Sequence, residues 1–357
     1  MKTNSLYFTL GRPFSFLYSF AMHLRELLYQ RGLLRSCRFA VPVVSVGNLT
    51  LGGTGKTPMV QYLARLFLAH GFRPAIVSRG YGGVAGGKVN MVSDGVNLLL
   101  DARAAGDEPR LLAETLPGVP VLTGAVRKIP AQRAQEMGAD VLLLDDGFQH
   151  LQIVRDIDLV LFNADHLTGN SRVFPGGDLR EPMAALRRAT GFVLTGVHEI
   201  NRERAERFAG LLRARFPDIP VAFASIRMEC LVEIAPSGML VPAQAAPLHR
   251  QSCFGFCGIA HPDLFRHALI GHGFLLAGFL PLADHQRYNA SLLDHLLAEA
   301  RQTGANWLLT TEKDLVKLAD QSAHLPLPLY GLRMRVEIDA DFSRTILTTL
   351  RAWHKDR

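Results

Sequence analysis

The sequence predicts an α/β protein with a parallel-sheet lobe, a second and smaller α/β lobe, and an amphipathic helix ahead of both. Three observations carry this. Short β-branched and leucine-rich runs alternate with helix-length apolar-periodic stretches along the 357 residues, which implies right-handed parallel βαβ units. The first run ends in a glycine-rich turn followed by Gly55-Lys56-Thr57. Composition then shifts after about residue 225, through a proline-, alanine- and glycine-rich stretch at 235–248, into a second α/β series. The predicted division is 1–40 for the helix, 41–225 for the first lobe and 226–357 for the second, with a hinge near 226–250.

Hydrophobic content of 48% with 20% charged residues describes a globular chain with ample core. Cys37, Cys230, Cys253 and Cys257 are scattered. Cys253 and Cys257 have no second pair to complete a zinc site. The net charge is +7, and most of it lies at the N-terminus, where Lys2, Arg12, Arg25, Arg31, Arg35 and Arg38 face only Glu26. No basic run with interleaved aromatics occurs in the body, so no nucleic-acid groove is indicated.

The N-terminal segment is also strongly apolar. Phe14, Leu17, Tyr18, Ala21, Leu24 and Leu28 fall on one helical stripe. A membrane-spanning helix needs roughly 20 mostly apolar residues, and His23, Arg25 and Glu26 interrupt this one. No small-residue cleavage site follows cleanly, which argues against a signal peptide. The expectation is an aromatic, cationic helix at the membrane interface, on the side where anionic headgroups attract arginine. The competing reading is a helix packed on the soluble body.

The remaining elements follow in order. A strand precedes the glycine-rich turn, and a helix over 59–70 follows it. A buried strand is predicted at 73–78, a glycine-rich loop at 80–87, a helix at 107–116 and a strand at 119–122. A helix at 129–137 leads to the apolar run 141–144, and strands follow at 158–162 and 192–195. The second series covers 253–257, 261–272, 274–280, 292–302, 307–310, 315–318 and 329–337, and a final helix lies near 342–353. Functional side chains should gather at the carboxyl ends of the strands.

The chemistry begins at the turn. Gly52, Gly53, Thr54, Gly55, Lys56 and Thr57 read as a P-loop, with Thr50 where the strict pattern has glycine. Backbone N–H groups of such a loop and of the helix start point at a phosphate. Lys56 reaches the β- and γ-phosphates, and the Thr57 hydroxyl ligates Mg²⁺. A P-loop NTPase-like lobe binding a nucleoside triphosphate is therefore expected. The apolar run 141–144 ends in Asp145-Asp146, the usual partner for a phosphate-bound Mg²⁺. One of the two acids should face the metal and the other should orient Lys56 or a water.

Other motifs are weaker alone. Gly106-Asp107-Glu108-Pro109 reads first as a helix cap with first-turn charge. Arg180-Glu181 is either a solvated surface pair or a cation for the transferring phosphoryl beside a metal-assisting acid. Asp284-His285 offers a proton acceptor only in the right company. The 310–314 segment, TTEKD, does not fit guanine recognition, because Lys313 directly precedes Asp314.

Together these pieces resemble the tetraacyldisaccharide 4′-kinase (lipid A 4′-kinase) family. The resemblance rests on VPVVSVGNLTLGGTGKTP (41–58), SRGYGG (78–83), GDEP (106–109), LDDGFQH (144–150), PGGDLREP (175–182), FCGIAHPDLF (256–265), ADHQ (283–286) and TTEKD (310–314). The segments run in family order across nearly the whole chain, and the departure at Thr50 is family-like. The resemblance implies transfer of the ATP γ-phosphate to the 4′-hydroxyl of tetraacyldisaccharide 1-phosphate. This gives lipid IVA, at the cytoplasmic face of a Gram-negative inner membrane.

It also implies roles. Gly52, Gly53, Thr54, Gly55, Lys56 and Thr57 hold the triphosphate. Thr57 and Asp146 lie on the Mg²⁺ side, with Glu181 assisting and Asp145 near the same cluster. Asp107 accepts the hydroxyl proton, supported by His285 across the lobes, and Arg180 stabilises the γ-phosphoryl charge. Gln149 and Tyr81 position nucleotide or acceptor. Two other readings use the same loop: a membrane-associated ATPase switch, told apart by turnover indifferent to acceptor, and an ATP-dependent ligase, told apart by free phosphate released on coupling two substrates.

Overall fold

The computed structural model describes residues 2–236, 238–243, 251–319, 321–322 and 325–355, with side chains from residue 8. In chain order the elements are α1 (Lys2–Gln30), β1 (Val43–Asn48), α2 (Lys56–Ala69), β2 (Pro74–Ser78), β3 (Asn90–Ser93), α3 (Ala102–Ala105), α4 (Asp107–Thr115), β4 (Val121–Thr123), α5 (Lys128–Glu136), β5 (Val141–Asp145), β6 (Ile157–Asn163) and β7 (Gly191–Thr195). They continue as α6 (Arg202–Arg215), β8 (Val221–Ile234), β9 (Leu240–Pro242), β10 (Cys253–Cys257), α7 (Pro262–Gly271), β11 (Leu276–Pro281), α8 (Ala290–Gln302), β12 (Trp307–Thr311), α9 (Glu312–Lys317), β13 (Leu329–Ile338) and α10 (Ala340–Lys355).

The strands form one 13-stranded sheet among the described residues, in the order β11-β10-β12-β13-β8-β7-β6-β1-β5-β2-β4-β3, with β9 added to β8. Most neighbours are parallel, as the alternating pattern predicts. Three pairings depart from it: β13 on β8, β9 on β8 and β3 on β4 are antiparallel. The sheet is therefore continuous from the first half of the chain into the second, through β8 and β13. The β8–β9 pairing makes the start of the 235–248 stretch a hairpin; residues 244–250 lie outside the described residues.

Both faces are covered, so the central strands carry uniformly apolar runs. Val44 and Val46 of β1 pack under α2 with Leu63 and Phe67. The C-terminal helix α10 returns to that same core through Phe342, Ile346, Leu347 and Leu350. Each such side chain contributes roughly 1.5–3 kcal/mol of burial. On the opposite face α6 packs Ala205, Ala209 and Leu212 against Phe162 and Phe192.

Sequence reading missed α6 and β8. The buried side of α6 is two alanines and one leucine among arginines and glutamates, too small an apolar stripe to register. β8 carries a detectable signal: Ile226, Met228 and Cys230 alternate with Arg227 and Glu229, the period of a strand.

Helix α1 lies on the body by a narrow seam. Gly11 is buried and a Cβ there would strike the Pro175 carbonyl. Ser15 Oγ donates to the Val173 carbonyl and Tyr18 Oη to the Arg180 carbonyl. Glu26 is buried against Arg187 and Arg188. Of the predicted stripe, Tyr18 turns inward, with its ring edge-on to Phe174. Leu10, Phe14, Phe16, Leu17, Phe20 and Leu24 stay exposed. Among the described residues no helix is long and apolar enough to cross a membrane.

Candidate active site

The phosphate loop hangs between β1 and α2 and is pinned from several sides. Asn48 Nδ2 donates to the Thr50 carbonyl at 2.8 Å, and Gln149 Nε2 donates to the Asn48 carbonyl at 2.9 Å. Leu51 N–H reaches the Asp178 carbonyl, and Arg180 N–H the Leu49 carbonyl, both at 2.7 Å. Thr50 thereby bridges antiparallel to Leu179, a place that needs no glycine. Thr195 Oγ1, at the end of β7, donates to the Thr54 carbonyl at 2.8 Å. Gly55 adopts φ 76° as the cap of α2, a conformation glycine enters without strain. The first turn of α2 holds no acid, so its N–H groups and positive dipole end are open to an anion.

A charge cluster stands at the end of β5. Asp146 leaves the strand with φ 51°. Its carboxylate meets Lys56 Nζ at 3.6 Å and takes both of its contacts with Arg180 Nη1, at 2.9 and 2.8 Å. Arg127, buried, donates to the Asp146 carbonyl at 2.7 Å. Burial alone would raise the Asp146 pKa, but Lys56, Arg180 and Arg127 outweigh it and hold the carboxyl below its usual range.

Asp145 faces the other way. It is buried, accepts from Ser78 Oγ at 3.2 Å, and its Oδ1 has no hydrogen-bond partner among the described residues. Burial, with Glu108 and Asp146 adding, pushes its pKa up to about 7 against the pull of Lys56 and Arg127. An orphaned buried carboxylate oxygen beside a phosphate loop suits a hard divalent cation. Thr57, half-buried in the first turn of α2, carries a hydroxyl with no partner among the described residues. No group of three or more His, Cys, Asp or Glu side chains placed to hold a metal occurs among the described residues. A metal here would therefore take much of its shell from phosphate oxygens and water, as Mg²⁺ does.

The Asp145 environment predicts a pH signature in the metal-free protein. The folded chain keeps a proton on Asp145 up to about pH 7, whereas an unfolded carboxyl loses it near 3.9. Across that window the folded state binds more protons, so this group's contribution to stability falls as pH rises. Asp145→Asn removes the fall. The variant should melt close to wild type near pH 4.5 and above it at pH 8, by calorimetry in chelator. A melting difference independent of pH would show Asp145 ionised throughout.

A second cluster forms where α4 of the first half meets side chains from the second half of the chain. Asp107 begins α4, capped by Gly106 at φ 93°; a Cβ on Gly106 would lie 2.5 Å from the Tyr81 carbonyl, so the 78–83 loop fits only over glycine there. Asp107 Oδ2 meets His285 Nδ1 at 3.2 Å, 178 residues away in sequence, and Lys317 Nζ at 3.2 Å. The Tyr81 ring lies edge-on to His285. Burial raises the Asp107 pKa, but the His285 hydrogen bond and the charges of Lys317 and Lys313 prevail and lower it. Glu108, next on the helix, pairs with Lys313 at 3.7 Å and is close enough to perturb Asp145. The two clusters therefore border one cleft, with Gly53 of the loop against Ala260 of the second half.

The structure thus brings Lys56, Asp146 and Arg180 together, and Asp107, His285 and Tyr81 together. Glu181 is buried in an ion pair with Arg188, and Gln149 braces the loop through Asn48. Lys313, Lys317 and Arg127 were missed in the sequence. The two lysines carry a signal, standing four apart at the end of β12 on α9. The TTEKD segment also has a structural role: Asp314, fully buried, accepts from Gly258 N–H at 2.9 Å and pairs with Lys317 at 3.1 Å.

A model of the tetraacyldisaccharide-1-P 4′-kinase family matches residues 7–351. The chain belongs to this family. The tetraacyldisaccharide 4′-kinase of Desulfotalea psychrophila is 47% identical over 350 residues, 98% of each chain. That of Syntrophus aciditrophicus is 40% identical over 362 residues, 98% of this chain and 95% of its own. Among solved structures, LpxK from Aquifex aeolicus in complex with ATP aligns with a TM-score of 0.75 at 30% identity, covering 95% of this chain and 98% of that one. The matched span includes both clusters, so this tetraacyldisaccharide-1-P 4′-kinase family member carries the whole cleft.

Proposed function

We propose that the chain is a lipid A 4′-kinase, transferring the ATP γ-phosphate to the 4′-hydroxyl of tetraacyldisaccharide 1-phosphate to give lipid IVA. One observation carries the reading: the Asp107–His285 contact at 3.2 Å, made between distant parts of the chain, borders the cleft of the phosphate loop. An ATPase switch has no use for such a pair. Mg²⁺, when bound with ATP, neutralises charge on the phosphates. Gly52, Gly53, Thr54, Gly55, Lys56 and Thr57 cradle the triphosphate, with Gln149 bracing the loop. Thr57 and the carboxylates at 145–146 supply protein ligands to the metal, and Glu181 supports that side through Arg188. Arg180 and Lys56, gathered by Asp146, offer positive charge to the γ-phosphoryl.

Asp107 accepts the proton of the acceptor hydroxyl, and His285, held on its other side, orients the carboxylate. Its lowered pKa keeps it ionised at neutral pH. A sugar hydroxyl barely ionises there, so alignment and charge neutralisation supply most of the rate and Asp107 helps at the transition state. Tyr81 lines the acceptor side. The working units are residues 41–225 and 226–357, with a hinge near 226–250 and the acceptor between them.

The partner surface is the cytoplasmic face of the bacterial inner membrane. Helix α1 offers it the exposed residues Leu10, Phe14, Leu17, Phe20 and Leu24, about 5–10 Å deep in the interface. Phe14→Ser with Leu17→Ser should cut vesicle sedimentation at least about tenfold, since burial of only about two methylenes at about 0.8 kcal/mol each supplies that much, and leave turnover of detergent-dispersed acceptor near wild type. Unchanged sedimentation would remove α1 as the anchor.

A radiolabel transfer assay tests the reaction. Purified protein receives Mg²⁺, γ-labelled ATP and tetraacyldisaccharide 1-phosphate in detergent. Label appearing in the lipid, and only with acceptor, is the expected result. Label found only in free phosphate, at a rate indifferent to acceptor, would overturn it.

A further inference from the structure

Beside α1 runs an open groove of about 420 Å³, lined by Arg12, Ser15, Phe16, Ser19, Arg172 and Val173. It borders the 172–180 loop, which reaches Arg180 at its far end, and none of the roles above uses its lining residues. Arg12, Phe16 and Ser19 stand on one face of α1, at helical spacing. The groove floor is built: Ser15 Oγ donates to the Val173 carbonyl and accepts from Gly176 N–H, both at 2.8 Å. Its cations are not spent. Nearby, Arg187 and Arg188 pair with Glu26. Arg12 and Arg172 are exposed and form no ion pair among the described residues. The Ser19 hydroxyl likewise has no partner there. Phe16, 82% exposed, forms the outer wall and Phe20 continues it one turn on.

Two unpaired guanidinium groups and a free hydroxyl, edged by aromatic surface, match a phosphodiester that carries hydrocarbon chains. Guanidinium forks suit phosphate oxygens in particular. We propose that this groove binds the headgroup phosphate of an anionic bilayer phospholipid, fixing the depth and rotation of α1 at the membrane. The proposal rests on the membrane reading of α1. It adds a discrete lipid site to what would otherwise be general apolar insertion.

The test uses the full chain with vesicles of phosphatidylcholine alone and of phosphatidylcholine mixed with phosphatidylglycerol. Wild type should bind the mixed vesicles more tightly. Arg12→Gln with Arg172→Gln should lose more than about 25-fold of that preference, since about fivefold for each arginine is what general charge near an anionic surface supplies without a site. The control, Arg31→Gln with Arg35→Gln, removes equal charge just beyond the same helix and should lose no more than that general effect, about 25-fold. Equal losses in the two variants would reduce the effect to net charge and overturn the site. So would an unchanged preference in the groove variant. KM for acceptor dispersed in detergent should be unaffected; a raised KM would assign the groove to the acceptor's own phosphate. Wild type that binds neither vesicle overturns the membrane reading and the site with it. Preference for mixed vesicles that survives Arg12→Gln with Arg172→Gln overturns the site alone.

Discussion

Lys56→Ala should lower kcat/KM for phosphoryl transfer by about 10³-fold or more, the scale of removing a preorganised cation from a developing phosphoryl charge. The effect has two sources. The substitution removes the ammonium that reaches the phosphates. It also removes one of the cations that gather on Asp146 at 2.8–3.6 Å and pull down the pKa of Asp145. Asp145 then becomes harder to ionise and a poorer metal ligand. Lys56→Arg should rescue little, because a planar fork does not occupy the place of a compact ammonium. The side chain is 13% exposed, with its ammonium on Asp146, and it belongs to none of the apolar core clusters, so circular dichroism should stay native. Initial rates with γ-labelled ATP decide the matter, and turnover within tenfold of wild type would refute the assignment.

Asp107→Ala should lower kcat by about 10²–10⁴-fold, the usual range for a positioned proton acceptor. KM for ATP should hardly move, because the hydrogen-bond and ion-pair partners of the Asp107 side chain among the described residues are His285 and Lys317, not the phosphate loop. Its removal leaves His285 and Lys317 without their shared carboxylate. His285→Ala should cost less, and adding it to Asp107→Ala should cost almost nothing more, since the two act as a unit. Full additivity in that cycle would separate the residues and end the dyad reading. Wild-type turnover in Asp107→Ala alone would remove it from the proton-accepting role.

Much of the cleft is legible from local sequence. The phosphate loop needs only a strand, glycines and a helix start in that order, and all of these are short-range. Asp145-Asp146 follows from an apolar run that stops in acid. The Asp107–His285 contact is different. Neither residue stands out by spacing, since their partnership depends on packing that joins α4 to the 283–286 turn. Only the family resemblance pointed to it. Lys317 shows a local spacing with Lys313, but its contact with Asp107 depends on the same packing. The antiparallel β8–β13 junction is different: the alternation in β8 marks a strand but not its partner or direction, and α6 before it offers only small buried side chains. Asp146 shows a further gap: alternation along a strand separates it from Asp145, but the left-handed backbone that turns it onto Lys56 and Arg180 has no sequence marker, aspartate being one of the few residues that enter it.

The strand order also has a consequence for synthesis. The last of the described strands in chain order, β13, does not join an edge of the sheet. It inserts between β8 and β12, so among the described residues β10, β11 and β12 reach the rest of the sheet through it. α10, later still, completes the core around β1 and α2. A nascent chain stopped before residue 329 would therefore carry a finished phosphate loop and a complete set of cleft side chains, with nothing in the sheet to hold the two halves in register. The cleft is held by residues 329–355, and translation must pass them before the keystone strand can lock it.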